Sequence, residues 1–336
     1  MIFRELTQNV LCQNGVTYSN CCWQSIEWYE AFYRYVCFGD KSVRILHTLE
    51  QSYLPVQIIN SPKKTCFLNR KLVGLSNFYT PFFQMVSNNE ADNYAACFNH
   101  FQRFLHQFAQ IEFTPMISSE LDKCREALEK IGFFVASHQC SVNWYEDNIK
   151  SVDDYWAKRP SKLKNTIRRK REKLVKAGEF HTVIHHGDNL VKALLDFHLV
   201  YFKSWKVNEP FPAFIDEIAK KFSQLNQLRM GFVYKGEVPV AAQMWFVSNG
   251  VASIFKLAHT PTYENQSVGS ILTADMFNYV IDKDGVNKVD FLTGNDAYKK
   301  EWMSSSQPLY TLNAFNRKTV NGIVGMCKSI LDKDQR

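Results

Sequence analysis

The chain of 336 residues has no apolar run near the roughly 18 residues that a membrane-spanning helix needs. Its first ten residues, Met1 to Val10, carry Arg4 and Glu5 and no long apolar stretch, which is unlike a secretory signal. Cytoplasmic residence is therefore the expectation. Glycine and proline are sparse, at 14 and 10 residues, which argues against a collagenous or low-complexity chain. There is no CxxC pair among the nine cysteines, at positions 12, 21, 22, 37, 66, 97, 124, 140 and 327. The adjacent Cys21 and Cys22 suit neither a zinc knuckle nor an ordinary disulfide, so reduced and mostly buried thiols are expected. HExxH and Cys/His sets at metal spacing are missing as well, and no metal site is expected. The cluster His185, His186 and Asp188 does not change this, because neighbouring residues on a strand point opposite ways.

What is present is a large apolar and aromatic content, 46% hydrophobic and 14% aromatic, in a length that suits two domains. Charge is informative in its placement. The formal net charge is +7, yet Lys158 to Lys176 holds ten basic residues and one acid, Glu172, so the remainder of the chain is close to neutral. This is a local basic element and not the broad cationic surface of a nucleic-acid binder.

The run Ser25 to Val36 suits a short amphipathic helix, although its aromatic content would also suit strands, and strands are expected at Val43–Leu49, Tyr53–Ile59, Leu72 onward and Gln110–Pro115. A helix is expected from about Glu90 to Gln107. Another spans Ser119–Ile131, with Ser118 or Ser119 as its cap and Gly132 at its end. Short strands follow at Phe133–Val135 and Ser141–Tyr145. Pro160 suits a helix start, with Ser161 as a cap, and Leu163, Ile167, Leu174 and Val175 give that helix a narrow apolar seam under a cationic face.

In the second half a strand at Phe180–His185 precedes helices at Asp188–Lys206 and Phe211–Leu225. A hairpin of Met230–Tyr234 and Val238–Val247, a strand at Ala252–His259, a loop into a helix ending near Asp282, a strand at Val286–Phe291, a helical loop at Thr293–Trp302, a strand at Pro308–Asn316 and a short helix complete the order. The step from loop to helix at residues 264–271 has a physical use. Helix N-termini leave N–H groups unpaired and carry partial positive charge, a natural seat for a pyrophosphate. Gly269 permits close backbone approach there, and Gln266, Ser267 and Ser270 add donors. A lone glycine at a helix start is also commonly just a turn.

Four segments carry a family resemblance: Asp154-Tyr-Trp-Ala-Lys-Arg-Pro-Ser-Lys-Leu-Lys-Asn-Thr-Ile-Arg-Arg-Lys-Arg171, Gly74-Leu-Ser-Asn-Phe-Tyr-Thr-Pro81, Phe255-Lys-Leu-Ala-His-Thr-Pro-Thr-Tyr263 with Ser267-Val-Gly-Ser-Ile-Leu272, and Asp290-Phe-Leu-Thr-Gly-Asn-Asp-Ala-Tyr-Lys299. The chain resembles the CelD/BioF2-like acetyltransferases of the GNAT superfamily, which are related to the FemABX aminoacyl transferases. The resemblance implies a mixed α/β fold (α+β) of two tandem GNAT-like domains, each a mixed central sheet flanked by helices. The expected boundaries are 1–150, a basic linker helix at 151–178, and a catalytic domain at 179–336. It implies N-acylation with acyl-coenzyme A as a co-substrate and no permanently bound cofactor. Envelope or exopolysaccharide chemistry is common in the group, so the acceptor is a small-molecule or lipid- or glycan-linked amine. The loop here departs from the usual phosphate loop in having one glycine, flanked by Val268 and Ser270.

Such chemistry must hold a carbonyl, deprotonate an ammonium acceptor and protonate the leaving group. Backbone N–H groups at Leu257 and Ala258 can polarise the carbonyl oxygen. Asp296 is the preferred residue to orient or deprotonate the amine, with Asp290 bracing the loop or contacting substrate. Tyr298 can donate a proton, and Lys299 can meet a carrier phosphate. Gly294 permits an unusual backbone angle. His259 is the histidine best placed as a base. The resemblance places His198 and Trp205 toward the acceptor. Each of these residues has a structural reading beside the functional one: a turn aspartate, a packing tyrosine or tryptophan, a histidine serving only as a hydrogen bonder. The basic helix can be a solvated face, can steer a polyanionic carrier, or can touch an anionic membrane peripherally. Rival readings are a FemABX-like transferase fed by aminoacyl-tRNA, a nucleic-acid-binding module using the basic helix, and an inactive scaffold. No stable nucleic-acid partner is expected under the first reading.

Overall fold

A computed structural model describes residues 21–47, 52–60, 70–86 and 94–332. The chain forms two compact units, Met1–Val142 with Gln307–Arg336, and Asn143–Ser306. The expected helix start at residues 90–93, the end of the first strand at 48–49, the first ten residues, Cys12 and Cys66 lie outside the described residues.

In the first unit, helix α1 (Ile26–Tyr35) begins at Ser25, whose hydroxyl accepts from Trp28 N–H. Strands β1 (Val43–His47), β2 (Tyr53–Asn60) and β3 (Arg70–Gly74) form an antiparallel meander. Helices α2 (Tyr94–His100) and α3 (Gln102–Leu105) replace the single expected helix. Phe101 leaves helical geometry between them, and Leu105 and Phe108 both reach the core. Strand β4 (Gln110–Met116) pairs parallel to β3. Helix α4 (Ser118–Lys130) has Ile117 at its cap position and no side-chain cap, so neither serine plays the expected role. Glu120 in its first turn faces the positive end of the helix instead.

One strand, β5 (Phe133–Glu146), replaces the two short ones expected. Its exposed centre, His138 to Cys140, breaks the apolar pattern without breaking the strand. The unit's sheet runs β1-β2-β3-β4-β11-β5, where β11 is Ser305–Asn316, and helix α11 (Val320–Leu331) follows.

The second unit begins inside β5 and includes the basic helix. Its elements are α5 (Val152–Ala157), α6 (Ser161–Ala177), β6 (Phe180–His185), α7 (Leu190–Lys203), α8 (Pro212–Gln224), β7 (Leu228–Lys235), β8 (Val238–Ser248), β9 (Val251–His259), α9 (Val268–Asp282), β10 (Lys288–Thr293) and α10 (Lys299–Trp302). Pro160 takes the cap position of α6 and Ser161 makes no capping bond. The sheet order is β5-β10-β9-β8-β7-β6. The boundary between units thus falls within β5. The fold is mixed α/β.

Strands β7 and β8 are buried almost throughout because helices cover both faces of this sheet. Trp245 packs edge-on to Phe277 of α9, with ring centroids 5.4 Å apart. The next residue, Phe246, packs on Phe222 of α8 at 4.8 Å. Successive strand residues point to opposite faces, so α9 and α8 lie on opposite sides. Helix α6 lies beside α9, held by Arg171–Asp275 at 2.5 Å, while α7 packs on β8 and β9 with α8.

Candidate active site

Strands β9 and β10 run parallel but pair only at Val251–Lys288, Ala252–Val289 and Ser253–Asp290. Both bend at this level. On β9, Ile254 pairs with Trp245 and Lys256 with Met244, so Phe255 is an extra residue and forms a bulge. A bulge kinks and twists its strand. On β10, Leu292 has φ +57° and the register with β5 shifts between Asp290 and Thr293. Beyond Ser253 the facing edges of the two strands therefore part. Among the described residues no ladder pair joins Leu257 or Ala258 to β10.

Several side chains converge on this opening. His259 is half-buried, and its ring lies 4.4 Å from that of Trp205, just past α7. Burial is the main cause holding the imidazole below its ordinary value near 6.5; Lys206 pushes the same way and Glu264 opposes. Lys206 Nζ sits 5.8 Å from the Tyr201 and Trp205 ring centroids. Burial first, then Lys256, push its ammonium down to about 8; Asp296 opposes, and Lys299 adds the smallest push downward. Lys256 is ion-paired with Glu209, both nearly buried, and lies 5.1 Å over the Tyr201 ring.

Asp296 is exposed, with Oδ2 3.7 Å from Lys299 Nζ. Tyr298 stands edge-on to Phe291 at 5.7 Å, and burial, then Asp296, raises its phenol. Gly294, at φ +125°, could not carry a side chain without strain, since a Cβ there would lie 3.1 Å from Lys299 Nζ and 3.2 Å from Asp296 Oδ2.

Three expected site residues are used inside the protein. Lys299 is buried and donates to Phe291 O (3.1 Å) and Thr293 O (3.0 Å), tying the loop to β10. Those two bonds, not a carrier phosphate, are where its ammonium points. Asp290 is buried, and its Oδ1 accepts from Asn143 Nδ2 at 2.6 Å and Leu292 N–H at 2.7 Å. Burial raises its carboxyl. It braces the bend in β10 and has no exposed carboxylate to offer a substrate. His198 lies 2.6 Å from Asp216, joining α7 to α8. The other histidine pair separates as strand geometry requires: His185 lies 3.4 Å from Asp188, and His186 2.9 Å from the Tyr279 hydroxyl.

Ser267 adopts φ +56° at the cap position of α9, and its side chain caps nothing. The first N–H groups of the helix have no intrahelical acceptor. Val268 is buried, and Gln266, Ser267 and Ser270 are half-buried; Gln266 Oε1 is buried and lacks a hydrogen bond. The room at Gly269 is taken within the chain, since a Cβ there would lie 3.1 Å from His259 Nδ1. Gly269 O accepts from Thr273 Oγ1 (2.9 Å) and from the buried Gln243 Nε2 (3.3 Å). Lys170 of α6 donates to Asn265 O in the preceding loop, so the basic helix runs directly beside this helix start.

The sequence reading placed Lys206 only at the end of the helix toward the acceptor, without a role, and did not mark the Lys256–Glu209 pair. A lysine just past a helix end reads as surface, and only its company of cations distinguishes it.

Residues 161–300 match the family model described as Acetyltransferase (GNAT) domain. This segment, under half of the chain, is what is similar to that domain. Among curated proteins no sequence match is found. Solved structures share the fold. One is the C-terminal domain of a protein described as a lysylphosphatidylglycerol synthetase from Agrobacterium fabrum, at TM-score 0.60 and 10% identity, covering 94% of each chain. A second is FemX, at 0.60 and 9%, covering 88% of this chain and 92% of that one. A third is L-PGS from Bacillus licheniformis, at 0.58 and 10%, covering 86% and 89%.

Proposed function

We propose that the second unit transfers an acyl or aminoacyl group from a polyanionic carrier to an amine, in the cleft where β9 and β10 part. The observation that carries this reading is the parting itself, with His259, Lys206, Asp296 and Tyr298 gathered around it. An acyl carbonyl laid along the free edge of β9 accepts from backbone N–H groups near Leu257 and Ala258. Asp296, exposed at the mouth, attracts the incoming ammonium. His259, kept neutral by burial, takes its proton. The amine then attacks the carbonyl carbon. A C–N bond forms, the C–O bond of an ester or C–S bond of a thioester breaks, and Tyr298 protonates the departing oxygen or sulfur, recovering its proton from His259; His259, neutral again, takes the second proton from the amide nitrogen and releases it to solvent. Lys206, a cation crowded by cations, stabilises the negative charge that develops on the carbonyl oxygen.

The carrier favoured by the surface is an aminoacyl-tRNA. Helix α6 presents Lys162, Arg169, Lys173 and Lys176 along about 21 Å of one helix face beside the start of α9, a longer track than one pyrophosphate needs. This departs from the coenzyme A carrier that the CelD/BioF2-like resemblance implies. Acyl-coenzyme A remains the second reading, favoured by the unpaired N–H groups at the α9 start. Incubating the protein with charged tRNA or with a panel of acyl-coenzyme A thioesters, each with mixed amine acceptors, tests both. Amide product from tRNA alone supports the first reading and thiol release supports the second. Product from neither sinks the proposal.

A further inference from the structure

We propose that the outer face of α7 lies on an anionic membrane surface. The inner face of this helix buries Ala193, Phe197 and Val200 against the sheet. Val191, Leu195, Leu199 and Phe202 recur at i, i+4, i+8 and i+11, within about 80° of helical arc on the other side. All four are exposed, Val191 at 77% and Phe202 at 73%. Trp205 and Val207 extend the stripe beyond the helix end. A soluble helix ordinarily turns one apolar face inward; a second, continuous and exposed, marks a contact surface.

The rim of the stripe identifies the partner. Lys192 and Lys203 lie along one border, and Lys206 stands at the end. Lys192 is paired with Asp196 at 2.6 Å, and on the opposite border His198 is paired with Asp216. An apolar stripe ended by tryptophan and bordered by lysines fits the boundary between acyl chains and anionic headgroups. Antiparallel pairing with a second copy would set one lysine border beside the other. The contact is superficial, since α7 has 14 residues and no described helix is long and apolar enough to cross a membrane. The surface is distinct from α6, which covers the other face of the sheet. Because Trp205 joins the stripe to the cleft, an amine on a lipid headgroup would approach His259 from the membrane side. That consequence rests on the transfer reading, whereas the docking does not.

Cosedimentation of the full chain with vesicles tests the inference. Binding is expected to phosphatidylcholine vesicles containing about one-third phosphatidylglycerol and to be much weaker with phosphatidylcholine alone. Leu195→Glu with Phe202→Glu should lower partitioning about tenfold or more, with the melting temperature retained because both side chains are exposed. Lys203→Glu should lower it about fivefold, which provides a second reading if the double variant misfolds. Three results overturn the proposal: no pelleting, pelleting that depends on Lys162 and Arg169 but not on α7, or a wild-type dimer that becomes a monomer in the double variant. Vesicle binding without any transfer would leave the docking standing and sink the proposed reaction.

Discussion

Lys206 is the residue whose state should set the upper pH limit of the reaction. Its ammonium titrates near 8 because burial and two neighbouring lysines disfavour the charge. Below that pH it is a cation and stabilises a developing oxyanion; above it the charge is lost. Activity should therefore rise as His259 loses its proton below the ordinary imidazole value, level off, and fall through about pH 8. Lys206→Met should cost about a hundredfold in kcat and remove the descending limb. A profile that still falls near pH 8 in this variant would rule the assignment out. Asp290 makes the contrasting case. Asp290→Ala leaves the Leu292 N–H and the Asn143 amide without their shared acceptor, and should destabilise the fold by about 1–3 kcal/mol in urea denaturation, mainly through that loss. The sequence placed His259, Trp205, Asp296, Tyr298 and Gly294 in one reading, and the fold gathers them. It could not separate Lys299 from Lys300. Adjacent lysines carry no record of which ammonium turns inward to Phe291 O and Thr293 O and which stays exposed.

At the scale of elements, the join between α5 and α6 rests on a buried ion pair. Arg159 Nη2 lies 2.7 Å from Glu146 Oε2, with side-chain exposures of 1% and 3%. Ser304 contributes its hydroxyl to Arg159 and its N–H to Glu146. Removing Arg159 leaves Glu146 with the more distant Lys158 Nζ at 3.7 Å and the Ser304 N–H, so Arg159→Ala should cost about 1–3 kcal/mol, read from the urea midpoint. Replacing both partners with apolar residues should restore part of the loss, which separates a stranded charge from a lost contact. Strongly periodic elements such as α4, α8 and the β7–β8 hairpin were legible because one stripe or one alternation must be buried. Strand β5 was not, because His138 to Cys140 are exposed and its continuity comes from neighbours remote in sequence. The break at Phe101 was hidden for the opposite reason: apolar spacing continues through it although the backbone does not.

For the whole molecule, chain order and sheet order disagree in a way that has a consequence. Strand β11 comes from the end of the chain, yet it lies between β4 and β5 in the sheet of the first unit. Its pairing with β4 runs antiparallel from Tyr310–Met116 to Phe315–Gln110, and Leu309, Leu312 and Ala314 are fully buried. Thr114 and Thr311 hydroxyls meet at 2.8 Å, and Asn316 Nδ2 donates to His106 O and Phe108 O. Removing residues 307–336 would expose an edge of β4 and of β5 and open the core between them. Exposed unpaired edges of this kind promote association between chains. A chain ending at residue 306 should therefore lose amide protection in β3 and β4 and aggregate, although every residue of the GNAT-matching segment 161–300 is retained. Hydrogen exchange of the truncated and full chains provides the check. Protection of β4 that survives the truncation would mean that β3 and β4 are held without β11.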